Sequence, residues 1–140
     1  MNIRLEGKRA LVTGGNSGIG EAIVLALADA GAKVAINYVG HPEAADGLVE
    51  TIKQKRGEAI SIQGDISDPK AVGDMFRQID AAWSGINILI NNAGIDGTRA
   101  FGWEADIAAW RKVIEVNLFG AFYCASDALK RMVQQKAGSY

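Results

Sequence analysis

Two periods of apolar residues alternate along this chain. Short apolar runs occur at Arg9–Thr13, Lys33–Asn37, Ala59–Gln63 and Ile86–Asn91, and each reads as a strand. Between them the apolar positions step by three and four, the spacing of a helix face. The first stripe is Ile19, Ala22, Ile23, Ala26, Leu27 and Ala30, with Gly31 as its stop. Pro42 opens a second, carrying Ala45, Leu48, Val49 and Ile52 and ending at Gly57. Asp68-Pro69 starts a third through Val72, Met75, Phe76, Ile79 and Trp83, closed by Gly85.

After a glycine-containing loop, Ile95 to Trp103, Asp106 is placed to cap a long helix running to about Gln135. Trp110, Val113, Ile114, Asn117, Leu118, Ala121, Phe122, Ala125, Leu129 and Met132 fall inward or on a contact face of it. Gly120, inside this helix, costs roughly 1 kcal/mol against alanine, so it predicts close approach by another backbone.

The resulting order, β-α-β-α-β-α-β-α, shows no linker and predicts one domain over residues 1–140. Right-handed crossovers make it α/β: a Rossmann-type, doubly wound parallel sheet, helices on both faces, strand order 3-2-1-4. Composition agrees with a globular chain: about half its residues are hydrophobic and only two are proline. A formal charge of −1 leaves no basic footprint for nucleic acid or a membrane surface. One cysteine, Cys124, rules out an internal disulfide and a cysteine-based metal site. The first residues carry no apolar signal core, so a cytoplasmic location is expected.

Chemistry concentrates at the C-terminal ends of the predicted strands, where such sheets bind ligands. Thr13-Gly14-Gly15-Asn16-Ser17-Gly18-Ile19-Gly20 joins the first strand to the first helix and keeps a T-G-x-x-x-G-x-G spacing. Glycines there permit a tight turn, backbone approach to a pyrophosphate and close helix–strand packing. The helix start adds free N–H groups and partial positive charge. Asn37-Tyr38 ends the second strand, Gly64-Asp65 the third and Asn91-Asn92-Ala93-Gly94 the fourth. Any one of these reads as a turn residue; four on one edge read as a binding site.

Together with Val116-Asn117, these residues resemble the N-terminal half of a short-chain dehydrogenase/reductase, over essentially the whole chain. Within that family the sequence looks like the glucose 1-dehydrogenase and 3-oxoacyl-carrier-protein reductase type. The resemblance implies hydride transfer between a nicotinamide dinucleotide and a small-molecule alcohol or carbonyl substrate. It implies that Gly14, Asn16, Ser17, Gly18, Ile19 and Gly20 hold the pyrophosphate and adjacent ribose. Asp65 and the backbone of Ile66 would receive the adenine amino group, and Asn91, Ala93 and Gly94 would line the floor under the ribose and nicotinamide. Asn117 matches an asparagine that helps hold a water beside the catalytic lysine. No metal is implied, and a homodimer or homotetramer is.

Cofactor choice turns on the end of the second strand, where a carboxylate would accept the ribose hydroxyls and repel a 2′-phosphate. Asn37 stands there, with no acidic residue before Glu43, which leans the expectation to NADP(H) over NAD(H), or to use of both. The family's serine and Tyr-x-x-x-Lys pair are missing: Tyr38 is followed four residues later by Pro42, and Tyr123 by Asp127. Ser139 comes before the position of the catalytic serine. The sequence therefore predicts a half-domain ending before its fifth strand, with Ile88-Leu89-Ile90 as an apolar edge. That leaves two readings: the nucleotide-binding part of an oxidoreductase whose catalytic residues lie elsewhere, or a non-catalytic half-domain that self-associates.

Overall fold

A computed structural model describes residues 2–97 and 99–135. Ser139 and the expected start of a fifth strand lie outside the described residues. Four strands, β1 (Arg9–Val12), β2 (Lys33–Tyr38), β3 (Ala59–Gln63) and β4 (Ile88–Ile90), form one parallel sheet in the order β3-β2-β1-β4. The α/β sheet of Rossmann type expected from the sequence is the one observed. Helices α1 (Gly18–Asp29), α2 (Pro42–Gln54) and α3 (Pro69–Trp83) fill the crossovers. Asp68 caps α3 by accepting from Lys70 N–H at 3.0 Å, as the Asp-Pro signal requires.

Strand periodicity sorts side chains into two cores. Val12, Val34 and Ile36 pack with Val24 of α1 and Ala45, Leu48, Val49 and Ile52 of α2. Leu11, Ala35 and Ile62 point to the other face, against Val72, Met75, Phe76 and Ile79 of α3 and Cys124, Ala128 and Met132. Because Asn37 is two residues beyond Ala35, it inherits this second face rather than the strand's outer end.

Three expectations change. The fourth strand is Ile88–Ile90, shorter than Ile86–Asn91, and Ile86 is instead a core residue. In α1 the buried positions are Gly20 and Val24, while Ile19 is 76% exposed. This helix is apolar almost all round, so the sequence stripe could not be phased. The long C-terminal helix is interrupted: α4 (Ile107–Ile114) runs through a π-helical segment, Glu115–Gly120, into α5 (Ala121–Gln135). Through and beyond the π segment Val116, Cys124, Ala128 and Met132 are buried while Leu118 and Phe122 are exposed; Trp110, on α4 before it, is exposed as well. Gly120 makes the predicted close approach: a Cβ there would fall 2.6 Å from Ile66 Cγ1 and 3.0 Å from the Ile66 carbonyl. Among the described residues no helix is long and apolar enough to cross a membrane.

Candidate functional site

The glycine turn is held from beneath by Thr13 and Asn92. Thr13 is fully buried, and its Oγ1 accepts from the backbone N–H groups of Asn92 (3.1 Å) and Ala93 (3.0 Å). Asn92 Nδ2 donates to the carbonyls of Thr13 and Gly14, both at 3.0 Å. Gly14 adopts φ +60°, where a side chain is strained. Gly20 is required by packing, since a Cβ there would overlap the Gly14 carbonyl and lie 2.5 Å from Asn92 Nδ2. Gly18, at φ +56°, is different: an added Cβ would meet nothing within 4 Å. Its backbone is open to solvent. Ser17 is the N-cap of α1, yet its side chain makes no capping bond, so the N–H groups of the first turn are left for a ligand.

At the end of β2 the amide of Asn37 is engaged within the protein. Asn37 borders the groove but is only 1% exposed. Its Nδ2 donates to the carbonyls of Gly64 (3.0 Å) and Ile62 (3.4 Å), and its Oδ1 accepts from Gly14 N–H (3.3 Å). Period-two alternation turns this amide toward the protein, where it ties the ends of β1, β2 and β3 together. Asn16 has a comparable anchoring role, donating from Nδ2 to the carbonyls of Gly40 (2.9 Å) and His41 (3.2 Å). Val39, Gly40 and His41 form the groove wall there, and none is acidic.

After β4, Ala93 and Gly94 line the groove, whereas Asn91 does not. Asn91 Nδ2 donates to the Ala121 carbonyl at 3.2 Å, because adjacent residues leaving a strand face opposite ways. Asn92 takes the inward place. Asn117, in the π-helical segment, bonds Ile95 reciprocally: its Oδ1 accepts from Ile95 N–H (2.8 Å) and its Nδ2 donates to the Ile95 carbonyl (2.9 Å). A mid-helix asparagine thereby fixes the loop beyond Gly94 instead of bonding within its own helix.

Beyond β3, Ile66 is buried against Gly120 and Asp65 faces the groove. Asp65 Oδ2 accepts from Lys112 Nζ at 2.8 Å; Oδ1 accepts from Ser67 N–H (3.0 Å) and Ser67 Oγ (2.7 Å). Partial burial pushes the carboxyl pKa up, but the Lys112 and Ser67 donors outweigh it and hold the group below the ordinary aspartate value. Lys112 gave no signal in the sequence, since it lies 47 positions from Asp65 on a different element. Thr13 and Asn92 were visible inside their motifs, but their mutual bonding was not.

These segments enclose a groove of about 510 Å³, from His41 past the glycine turn to Ile95. The start of α1 occupies its middle, the Asp65 carboxylate one wall, and the exposed apolar side chains of Ile19, Val39 and Ile95 its rims. Such a surface suits an elongated anion carrying a flat, amine-bearing ring.

Comparison with known proteins gives consistent relatives. The short chain dehydrogenase family model matches residues 8–139. A 3-oxoacyl-[acyl-carrier-protein] reductase of Staphylococcus aureus is 37% identical over 132 residues, which is 94% of this chain and 53% of that protein. The crystal structure of a short-chain type dehydrogenase/reductase from Mycobacterium marinum superposes with a TM-score of 0.91 at 34% identity, covering 99% of this chain and 55% of that one. A short chain dehydrogenase from Burkholderia cenocepacia, solved in complex with NADP, superposes with a TM-score of 0.87 at 38% identity over 91% of this chain and 52% of that one. The chain spans about half the length of the curated relatives it matches.

Proposed function

The chain belongs to the short-chain dehydrogenase family, and on that premise we propose that its groove binds a nicotinamide dinucleotide as the nucleotide-binding part of an oxidoreductase. When bound, that cofactor supplies the hydride exchanged with an alcohol or carbonyl carbon. The observation that carries the reading is the uncapped start of α1, where Ser17, Ile19 and Gly20 line a groove that ends at a fixed carboxylate and the backbone of Gly18 beside them is open. The fit is physical: first-turn N–H groups meet the pyrophosphate, and no side chain fills the space above Gly18. Asp65 and Ile66 would meet the adenine, and Ala93 and Gly94 the nicotinamide side. Asn117 has one N–H and one lone pair left after bonding Ile95, enough to hold a water.

NADP(H), or use of both cofactors, is favoured because no carboxylate lines the groove at the end of β2 to repel a 2′-phosphate. The B. cenocepacia relative's complex with NADP supports the same lean. In this reading residues 1–140 are the nucleotide-binding half of a cytoplasmic enzyme, and the proton relay of serine, tyrosine and lysine lies elsewhere. Leu118, Phe122, Leu129 and Val133, all exposed along α4–α5, favour assembly into a homodimer or homotetramer. The same exposed face supports the second reading, a non-catalytic half-domain that self-associates.

Titrating the full chain with NADPH and with NADH, followed by nicotinamide fluorescence, tests the proposal. Saturable binding, with NADPH at least as tight as NADH, is expected; no binding of either overturns it. Hydride transfer to a panel of ketones, sugars and ketoacyl substrates separates the two readings. Binding without turnover favours the second.

A further inference from the structure

We propose that Lys112 is a positioning residue for base recognition: it orients the Asp65 carboxylate so that the remaining acceptor site on Oδ2 takes an exocyclic amine of a bound adenine. The inference rests on the dinucleotide reading of the groove and adds a residue from α4.

A carboxylate offers about four acceptor positions. Ser67 occupies two on Oδ1, through its N–H at 3.0 Å and its hydroxyl at 2.7 Å. Lys112 Nζ occupies one on Oδ2 at 2.8 Å and also donates to Ser67 Oγ at 2.9 Å, which closes a three-residue ring. Among the described residues nothing else bonds Oδ2, so one position is left. The group is an ionised acceptor with no proton to give. It therefore favours a ligand amine and repels a ligand carbonyl at the same place.

Lys112 is what fixes that position. Ser67 restrains only Oδ1, and without the ammonium the carboxylate can turn Oδ2 toward bulk water. The ion pair is half exposed, with side-chain exposures of 45% and 40%, so its loss should hardly change stability. Its effect should fall on recognition. Adenine carries an amine at C6 where hypoxanthine carries a carbonyl, with a proton added on N1; the change in their affinity ratio from wild type to a Lys112 variant therefore isolates the C6 contact.

The test titrates the full chain, Lys112→Met, Lys112→Arg and Ser67→Ala with NADPH and with its reduced hypoxanthine analogue, reading nicotinamide fluorescence and the melting temperature of each variant. Wild type should prefer the adenine form by about tenfold, the scale of one charge-assisted hydrogen bond. Lys112→Met should lower that ratio several-fold by weakening NADPH, with an unchanged melting temperature. Lys112→Arg should restore most of the preference, and Ser67→Ala should lower it. An unchanged ratio in a folded Lys112→Met protein overturns the inference, as does a wild type that binds both forms equally. Failure of wild type to bind either form overturns the dinucleotide reading itself.

Discussion

Asn92 donates twice to Thr13: its backbone N–H to Oγ1 at 3.1 Å and its side-chain Nδ2 to the carbonyl at 3.0 Å. The pair joins the glycine turn after β1 to the floor after β4. Thr13→Val keeps the shape but removes the acceptor for the N–H groups of Asn92 and Ala93. Leaving those donors unsatisfied should cost about 2–3 kcal/mol. Thr13→Ser, which keeps the hydroxyl, should cost much less. Denaturant midpoints at unchanged slope check this.

Gly18 separates ligand space from folding space better than Gly14 does. A side chain at Gly14 would press on Ala93 Cα at 3.1 Å and disturb the floor, so Gly14→Val confounds loss of binding with loss of structure. Gly18→Ala meets no protein atom and carries only its positive φ, a strain of about 1–2 kcal/mol. Dinucleotide affinity should fall at least tenfold in a protein that still melts cooperatively. Unchanged affinity would remove the pyrophosphate from this turn.

The strand order and the edge at which the groove lies were legible because period-two runs, helical stripes and a glycine turn are local signals. What stayed hidden was which way side chains turn after a strand ends. Asn37 and Asn91 both sit at the expected edge, yet one faces into the sheet and the other toward Ala121. A single residue of register decides this, and the sequence does not mark the final strand residue. Lys112 was hidden for another reason: its partner lies on a different element, brought near only by packing of α4. The π-helical segment likewise leaves no mark in the apolar spacing beyond a mixed stripe.

Cys124 should be chemically silent in the native protein. Burial, with the charge of Asp127 adding to it, pushes the thiol from 9.0 to about 12. The thiolate is the reactive form, so a disulfide reagent at pH 8 should label it only after unfolding. Linkage fixes the sign of the pH effect. The unfolded thiol ionises first, so stability contributed by the neutral, buried thiol is intact below pH 9 and declines as pH rises toward about 12. Stability slopes for wild type and Cys124→Ala between pH 9 and 10.5 measure it, because other groups titrating there cancel in the comparison. Wild type should fall more steeply.

Asn37→Asp tests the reassignment of the second-strand position. Facing a ribose, a carboxylate there would lower the ratio of NADP to NAD affinity and leave stability alone. Facing inward, it replaces an amide that donates to Ile62 and Gly64 by a group that repels both carbonyls at 3.4 and 3.0 Å. Gly14 N–H remains as one donor to it, too little to solvate a charge at a site 1% exposed. Destabilisation of about 3 kcal/mol at neutral pH is expected, the scale of a buried polar group left unsatisfied. Burial would raise the folded pKa of the new carboxyl, so the penalty is smallest near the ordinary aspartate value of about 3.9 and grows as pH rises above it. Thermal melts at pH 4.5 and 7.5 should therefore show the variant closer to wild type at the lower pH. A variant that melts like wild type at both pH values, with a lowered NADP preference, would return Asn37 to the ribose.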